Sequence, residues 1–262
     1  MKITKNTILT SSSILIASAL AAHAGTGLYD TANWHGYRSN ATVSFTADET
    51  SITASGLDKD SYIWGFLDEA IVLGVGETLT VSGTANLKSV NSGSAFYFGL
   101  YNSGSNRNTT EVSSIATATW DMTGFFSGPK DGDAVSKVYS RYNAKSGAGF
   151  MTTNQGAAYI ASENLSSALT MPVAGTDYAF SMTITRNAAD YTIGLNGETV
   201  VFTTEKSFAA NSFDTIAFKS TGTGISLSGL SLELTSIPEP SAFGFLAGTL
   251  ALLFAGTRRR RR

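Results

Sequence analysis

Hydrolysis of a glycosidic bond calls for two carboxylates about 5 to 9.5 Å apart across a cleft, and the chain offers poor pairs. Asp68 and Glu69 are adjacent, so in a strand they project to opposite faces. Asp58 and Asp60 flank an expected turn. Neither a Glu-x-Asp-x-x-Glu strand signature nor a Gly-x-Ser-x-Gly elbow occurs. With no cysteine, and with His35 the only histidine after residue 24, disulfides, thiol nucleophiles, His-rich zinc sites and most His-dependent triads are excluded. Arg141 with Tyr139 and Tyr142 is the one basic-aromatic group of the kind a lyase would use, and surface packing explains it equally well. Asp131 and Asp133 supply two hard oxygen ligands, too few for the six to eight of a calcium site, so they are a weak calcium candidate and no cofactor is implied.

Rings with a polar edge are the other chemistry on offer, because sugars stack on exposed aromatic faces. Trp34, Trp64 and Trp120, with Tyr97 and Tyr101, are the candidate carbohydrate contacts. Tyr97 and Tyr101 alternate with Phe96, Phe98 and Leu100 and so point to the opposite face. Core or edge packing competes with sugar contact for each ring.

The elements that must position these groups are strands. Alternation of apolar and polar residues over 41–47, 96–100 and 180–185 has period two. Further strands are expected at 78–81, 215–219 and 225–234, with turns at 74–76, 187–190 and 221–224. Asn196-Gly197, between 191–195 and 199–202, is a two-residue hairpin signal, since both turn positions need positive φ. Residues 124–149, rich in Gly and Ser, read as an extended loop or irregular strand excursion. No body segment carries a long 3.6-residue period and there is no internal repeat, so the expectation is one all-β domain, an antiparallel β-sandwich or jelly roll. Gly74 to Val81, Phe180 to Arg186 and Phe213 to Phe218 are similar in style to strands of concanavalin A-like, laminin-G-like jelly rolls.

Both ends differ from this body. Lys2 and Lys5, an apolar stretch from Ile8 to Ala22, and Ala22-His23-Ala24 fit a secretory signal with cleavage before Gly25 by signal peptidase. At the other end, Pro238 and Pro240 lack amide donors and stop the sheet. Ala242 to Gly256 is an expected apolar helix that would reach about 22 Å, short of a hydrocarbon core of about 30 Å. Arg258, Arg259, Arg260, Arg261 and Arg262 then stay cytoplasmic by the positive-inside rule. Seven of the 18 Lys and Arg lie in these end segments, leaving 11 against 20 Asp and Glu, a balance of −9. A body this acidic repels nucleic acid.

The order Pro238-Glu239-Pro240, apolar run, arginine cluster resembles the PEP-CTERM sorting domain of exported proteins in Gram-negative bacteria. The resemblance spans Ile237 to Arg262 and implies recognition and processing at the triplet by an exosortase, transient anchoring in the inner membrane, and association with exopolysaccharide and biofilm. The organisation expected is a signal peptide over 1–24, a sandwich over 25–236 and a sorting segment over 237–262. Three functions follow in order: an exported, non-enzymatic structural or adhesive protein of the cell surface or matrix; a lectin-like carbohydrate-binding module; a polysaccharide hydrolase or lyase.

Overall fold

The computed structural model describes residues 28, 30–37, 44–47, 52–55, 61–104, 107, 122–141, 151, 160–203, 211–222 and 224–236. The expected signal segment, the sorting segment from Ile237 onward, Asp58, Asp60, Trp120 and Tyr142 lie outside them. No helix among the described residues is long and apolar enough to cross a membrane.

The described chain is an antiparallel β-sandwich. The larger sheet has seven strands: β1 (Trp34–Tyr37), β4 (Ser61–Val72), β13 (Ser212–Thr221), β6 (Ala95–Asn102), β7 (Thr123–Ser127), β8 (Lys137–Arg141) and β9 (Ile160–Asn164), in that spatial order. The smaller has five: β12 (Glu198–Thr203), β11 (Asp190–Leu195), β10 (Asp177–Arg186), β5 (Glu77–Leu87) and β14 (Ile225–Ser236). A separate pair, β2 (Ser44–Ala47) and β3 (Ile52–Ser55), completes the strands. Every ladder is antiparallel.

Period-two alternation sends one side of each sheet into the shared core. Phe96, Phe98 and Leu100 meet Phe180, Met182 and Ile184 across the interface, with Phe98 and Phe180 centroids 4.8 Å apart. Phe218 stacks beside Phe96 and meets Phe180 edge-on at 5.5 Å. Each such ring, fully buried, contributes about 1.5–3 kcal/mol. The hairpin expected at Asn196-Gly197 is present, with φ of 45° and 94° at the two positions, joining β11 to β12 in register.

Of the two expectations for residues 124–149, an extended loop or an irregular strand excursion, the described part carries strands at both ends rather than a loop. Thr123–Ser127 and Lys137–Arg141 are ladder strands within the larger sheet. Five residues apiece give too few alternations to register as a period, and glycine at the start of β7 reads as a breaker. Its reason is close approach: a Cβ on Gly124 would sit 2.2 Å from the Leu100 carbonyl oxygen of the neighbouring strand.

Candidate functional site

The outer face of the larger sheet is a second aromatic layer. Trp64 and Phe66 of β4, Tyr97 and Tyr101 of β6, Phe126 of β7, Tyr139 of β8 and Ala217 of β13 form it together with Met122 and Met151. Phe126 is its hub: Tyr139 stacks on it at 4.9 Å and 12°, Tyr101 at 6.4 Å and 22°, and Tyr97 meets it edge-on at 6.1 Å. Both faces of β6 are therefore buried, all but its last residue.

Four candidate sugar-contacting rings are corrected by this arrangement. Trp64 and Tyr101 are fully buried, and Trp34 and Tyr97 nearly so. Trp34 lies on the inner side, packed over Gly65, where an added Cβ would come within 2.7 Å of the indole, and its Nε1 donates to the Leu28 carbonyl at 2.7 Å. A ring without an open face cannot take a sugar by stacking. Arg141, expected on the surface with Tyr139, is also buried. It lies close enough to Tyr101 for its charge to oppose the effect of burial, which holds that phenol well above its usual value.

One rim of the layer is accessible. Tyr62 is only partly buried against the cluster, and the Lys219 ammonium sits over it, 5.1 Å from the ring centroid and 5.9 Å from that of Tyr97. Lys219 Nζ also donates to the Met151 carbonyl at 3.3 Å. Burial raises the pKa of the Tyr97 and Tyr139 hydroxyls; at Tyr97 the neighbouring Tyr139 and then the Asp133 carboxylate add to it, and at Tyr139 the Asp133 carboxylate does.

The opposite rim is polar. Asp214, at the register shift of β13, is 6% exposed and accepts from the Ser103 amide at 2.8 Å, Ser103 Oγ at 2.6 Å and Thr215 Oγ1 at 2.8 Å. Arg107 Nη2 approaches it at 3.4 Å while its guanidinium covers Phe66. No sequence pattern marks this node. Ser103, Arg107 and Asp214 are brought together only by pairing of β6 with β13.

The weak calcium candidate has other partners in the fold. Asp131 Oδ2 accepts from the Gly93 amide at 3.2 Å, and Asp133 pairs with Lys130 at 2.9 Å, a cation where a metal would need room. No group of three or more potential metal-ligating His, Cys, Asp or Glu occurs among the described residues. Asp68 and Glu69 are both exposed on β4, and Asp68 accepts from Asn33 Nδ2.

No family profile and no curated protein matches the chain. Among solved structures, the Emp46p carbohydrate recognition domain in its metal-free form is similar at 13% identity and a TM-score of 0.48, covering 82% of this chain and 96% of that one. The exoplasmic/lumenal domain of VIP36 in its Ca2+-bound form gives 8% identity and 0.49, over 84% and 89%. Carbohydrate-binding module CBM66 from Bacillus subtilis gives 10% and 0.42, over 78% and 97%.

His35, on β1, adds a pH response to the same face. It is buried between Trp64 and Phe66, ring centroids 6.0 and 5.5 Å away, and its Nε2 has no hydrogen-bond partner among the described residues. Burial lowers its pKa below 6.5. The folded state thus favours neutral imidazole, and the stability this confers is present above the unfolded value and lost as pH falls through the folded one. The thermal midpoint of the wild type is expected to drop more between pH 6.5 and acid than that of His35→Phe; parallel curves would remove His35 as the cause.

Proposed function

We propose that this is an exported cell-surface or extracellular-matrix protein. Signal peptidase trims it before Gly25, an exosortase processes it at Pro238-Glu239-Pro240, and its non-enzymatic sandwich contacts glycan of the surrounding matrix. The tail carries the delivery half of this reading: a stiff triplet, a short apolar run and the arginines Arg258 to Arg262 follow one another at the same end. The observation that carries the contact half is the Tyr62 rim. Among the described residues of an otherwise buried aromatic layer, Tyr62 is partly accessible, and Lys219 beside it supplies donors for a hydroxyl or carboxylate. A purely structural body is the second reading, favoured by the burial of Trp34, Trp64, Tyr97 and Tyr101.

The test is made on the mature protein recovered from producing cells. Its intact mass is expected to run from Gly25 to near Pro240, whereas a Pro238→Ala, Pro240→Ala variant retains Arg262. Tyr62→Ala is expected to weaken binding to the exopolysaccharide of the same culture by about tenfold, the size of a lost ring contact. Retention of Arg262 in both proteins defeats the sorting half. Undiminished binding by Tyr62→Ala defeats the rim and leaves the structural body.

A further inference from the structure

The outer face of the smaller sheet has a different chemistry. Its inward residues, among them Leu79, Val81, Phe180, Met182, Ile193 and Leu232, belong to the shared core. The alternate positions face out, and the ladders set them in rows. One row runs Thr235, Thr78, Thr185, Thr192 across β14, β5, β10 and β11 and ends on β12 at the exposed Val201. The next runs Glu233, Thr80, Thr183, Gly194, Thr199 and reaches β12. A third holds Ser231, Ser82 and Ser181. Neighbouring strands lie about 4.8 Å apart and rows about 6.7 Å, so the hydroxyls form a regular lattice. Gly194 is buried, the hydroxyl members on β5, β10 and β11 and Ser231 and Thr235 on β14 are half-buried, and Glu233 and Thr199 are exposed.

We propose that this face is a second contact surface, separate from the Tyr62 rim, for an extended, uncharged polysaccharide. The charge pattern selects that occupant. Outward positions of the five strands carry no lysine or arginine, while Asp177, Asp190 and Glu233 place carboxylates at the margins. Polyanions, including nucleic acid and acidic glycans, are repelled. A protein partner would need large anchors such as Trp, Tyr or Arg, and serine-rich surfaces are depleted at protein interfaces. Hydroxyls both donate and accept, which matches a polymer whose own surface is hydroxyl. Threonine is stiff at χ1, and Thr78 and Thr185 already hold each other at 2.8 Å, so little side-chain freedom is lost on contact. A face kept merely soluble would carry the mixed charges of ordinary protein surface; these rows carry almost none.

The experiment uses the mature protein with insoluble cellulose as the uncharged probe and a polygalacturonate gel as the acidic one. Wild type is expected to be retained on cellulose and not, through this face, on polygalacturonate. Thr80→Lys and Thr183→Lys, at the centre of the lattice, are expected to lower retention on cellulose about tenfold, as is the Thr80→Ala, Thr183→Ala double variant, which removes the hydroxyls with the least change in shape. Tyr62→Ala, which alters only the rim, is expected to lower cellulose retention less than the Thr80→Ala, Thr183→Ala double variant does. Thermal midpoints and sedimentation are followed throughout, and the double alanine variant decides if a lysine variant does not fold. The proposal is overturned if wild type is not retained on cellulose, if all variants bind as wild type does, if only Tyr62→Ala loses retention, or if the threonine variants change the association state, which would make a second copy of the chain the occupant.

Discussion

Replacing Gly99 with alanine is expected to cost about 4 kcal/mol or more, enough to unfold much of the population. Gly99 sits in the middle of β6, opposite Phe126. A Cβ there would lie 2.3 Å from the Phe125 carbonyl oxygen and 2.6 Å from Phe126 Cβ. Neither neighbour can swing away: one is ladder backbone, and the other is the root of the ring on which Tyr97, Tyr101 and Tyr139 pack. Relief would separate β6 from β7 and disturb both aromatic layers at once. Gly194→Ala is the control, because the clashing atom there is Thr183 Oγ1 at 2.3 Å, the end of a side chain that can change rotamer. It is expected to cost about 1 kcal/mol. Urea unfolding of the two variants checks the contrast, and comparable losses would refute the backbone account.

Asp214→Ala is expected to cost about 3–5 kcal/mol, because removing one buried charged acceptor leaves several buried donors unsatisfied at about 1–3 kcal/mol each. The loss comes from what stays behind. The Ser103 amide, Ser103 Oγ and Thr215 Oγ1 lose their shared acceptor in a site closed to water, and Arg107 loses its carboxylate. Asp214→Asn keeps an acceptor oxygen but swaps the other for a donor facing Ser103 or Thr215, so an intermediate loss is expected. Arg107→Ala should cost far less, since its side chain is 39% exposed and its approach is 3.4 Å. The order Ala, Asn, Arg107→Ala in falling cost is read from denaturant midpoints; a dominant Arg107 would show that the ion pair, not the buried acceptor, holds the node.

Much of the sandwich is legible before folding. Phe96-Tyr97-Phe98-Gly99-Leu100 separates correctly into two sides, and Asn196-Gly197 marks a hairpin whose dihedrals the structure confirms. These features are local: period two follows from the pleat, and positive φ from the absence or tolerance of a Cβ clash. Less legible was the fate of the second side. Tyr97 and Tyr101 point away from Phe96 as expected, yet alternation does not say what meets them, and in the fold they lie against Phe126 rather than in water. One signal was present: β6 and most of β13 lack charge on either side, the mark of strands buried on both faces.

Composition alone determined that no cysteine chemistry or disulfide is available and that an acidic body stands between a basic start and a basic end. Periodicity determined that the body is built of strands, because each strand's pattern is written in consecutive residues. Tertiary structure decided which rings are accessible, that Asp214 gathers Ser103, Thr215 and Arg107, and that threonines from β5, β10, β11, β12 and β14 fall into common rows. Each of those depends on strand order and register between segments as far as 157 residues apart, such as Thr78 opposite Thr235, and alternation within a strand leaves the choice of neighbour open.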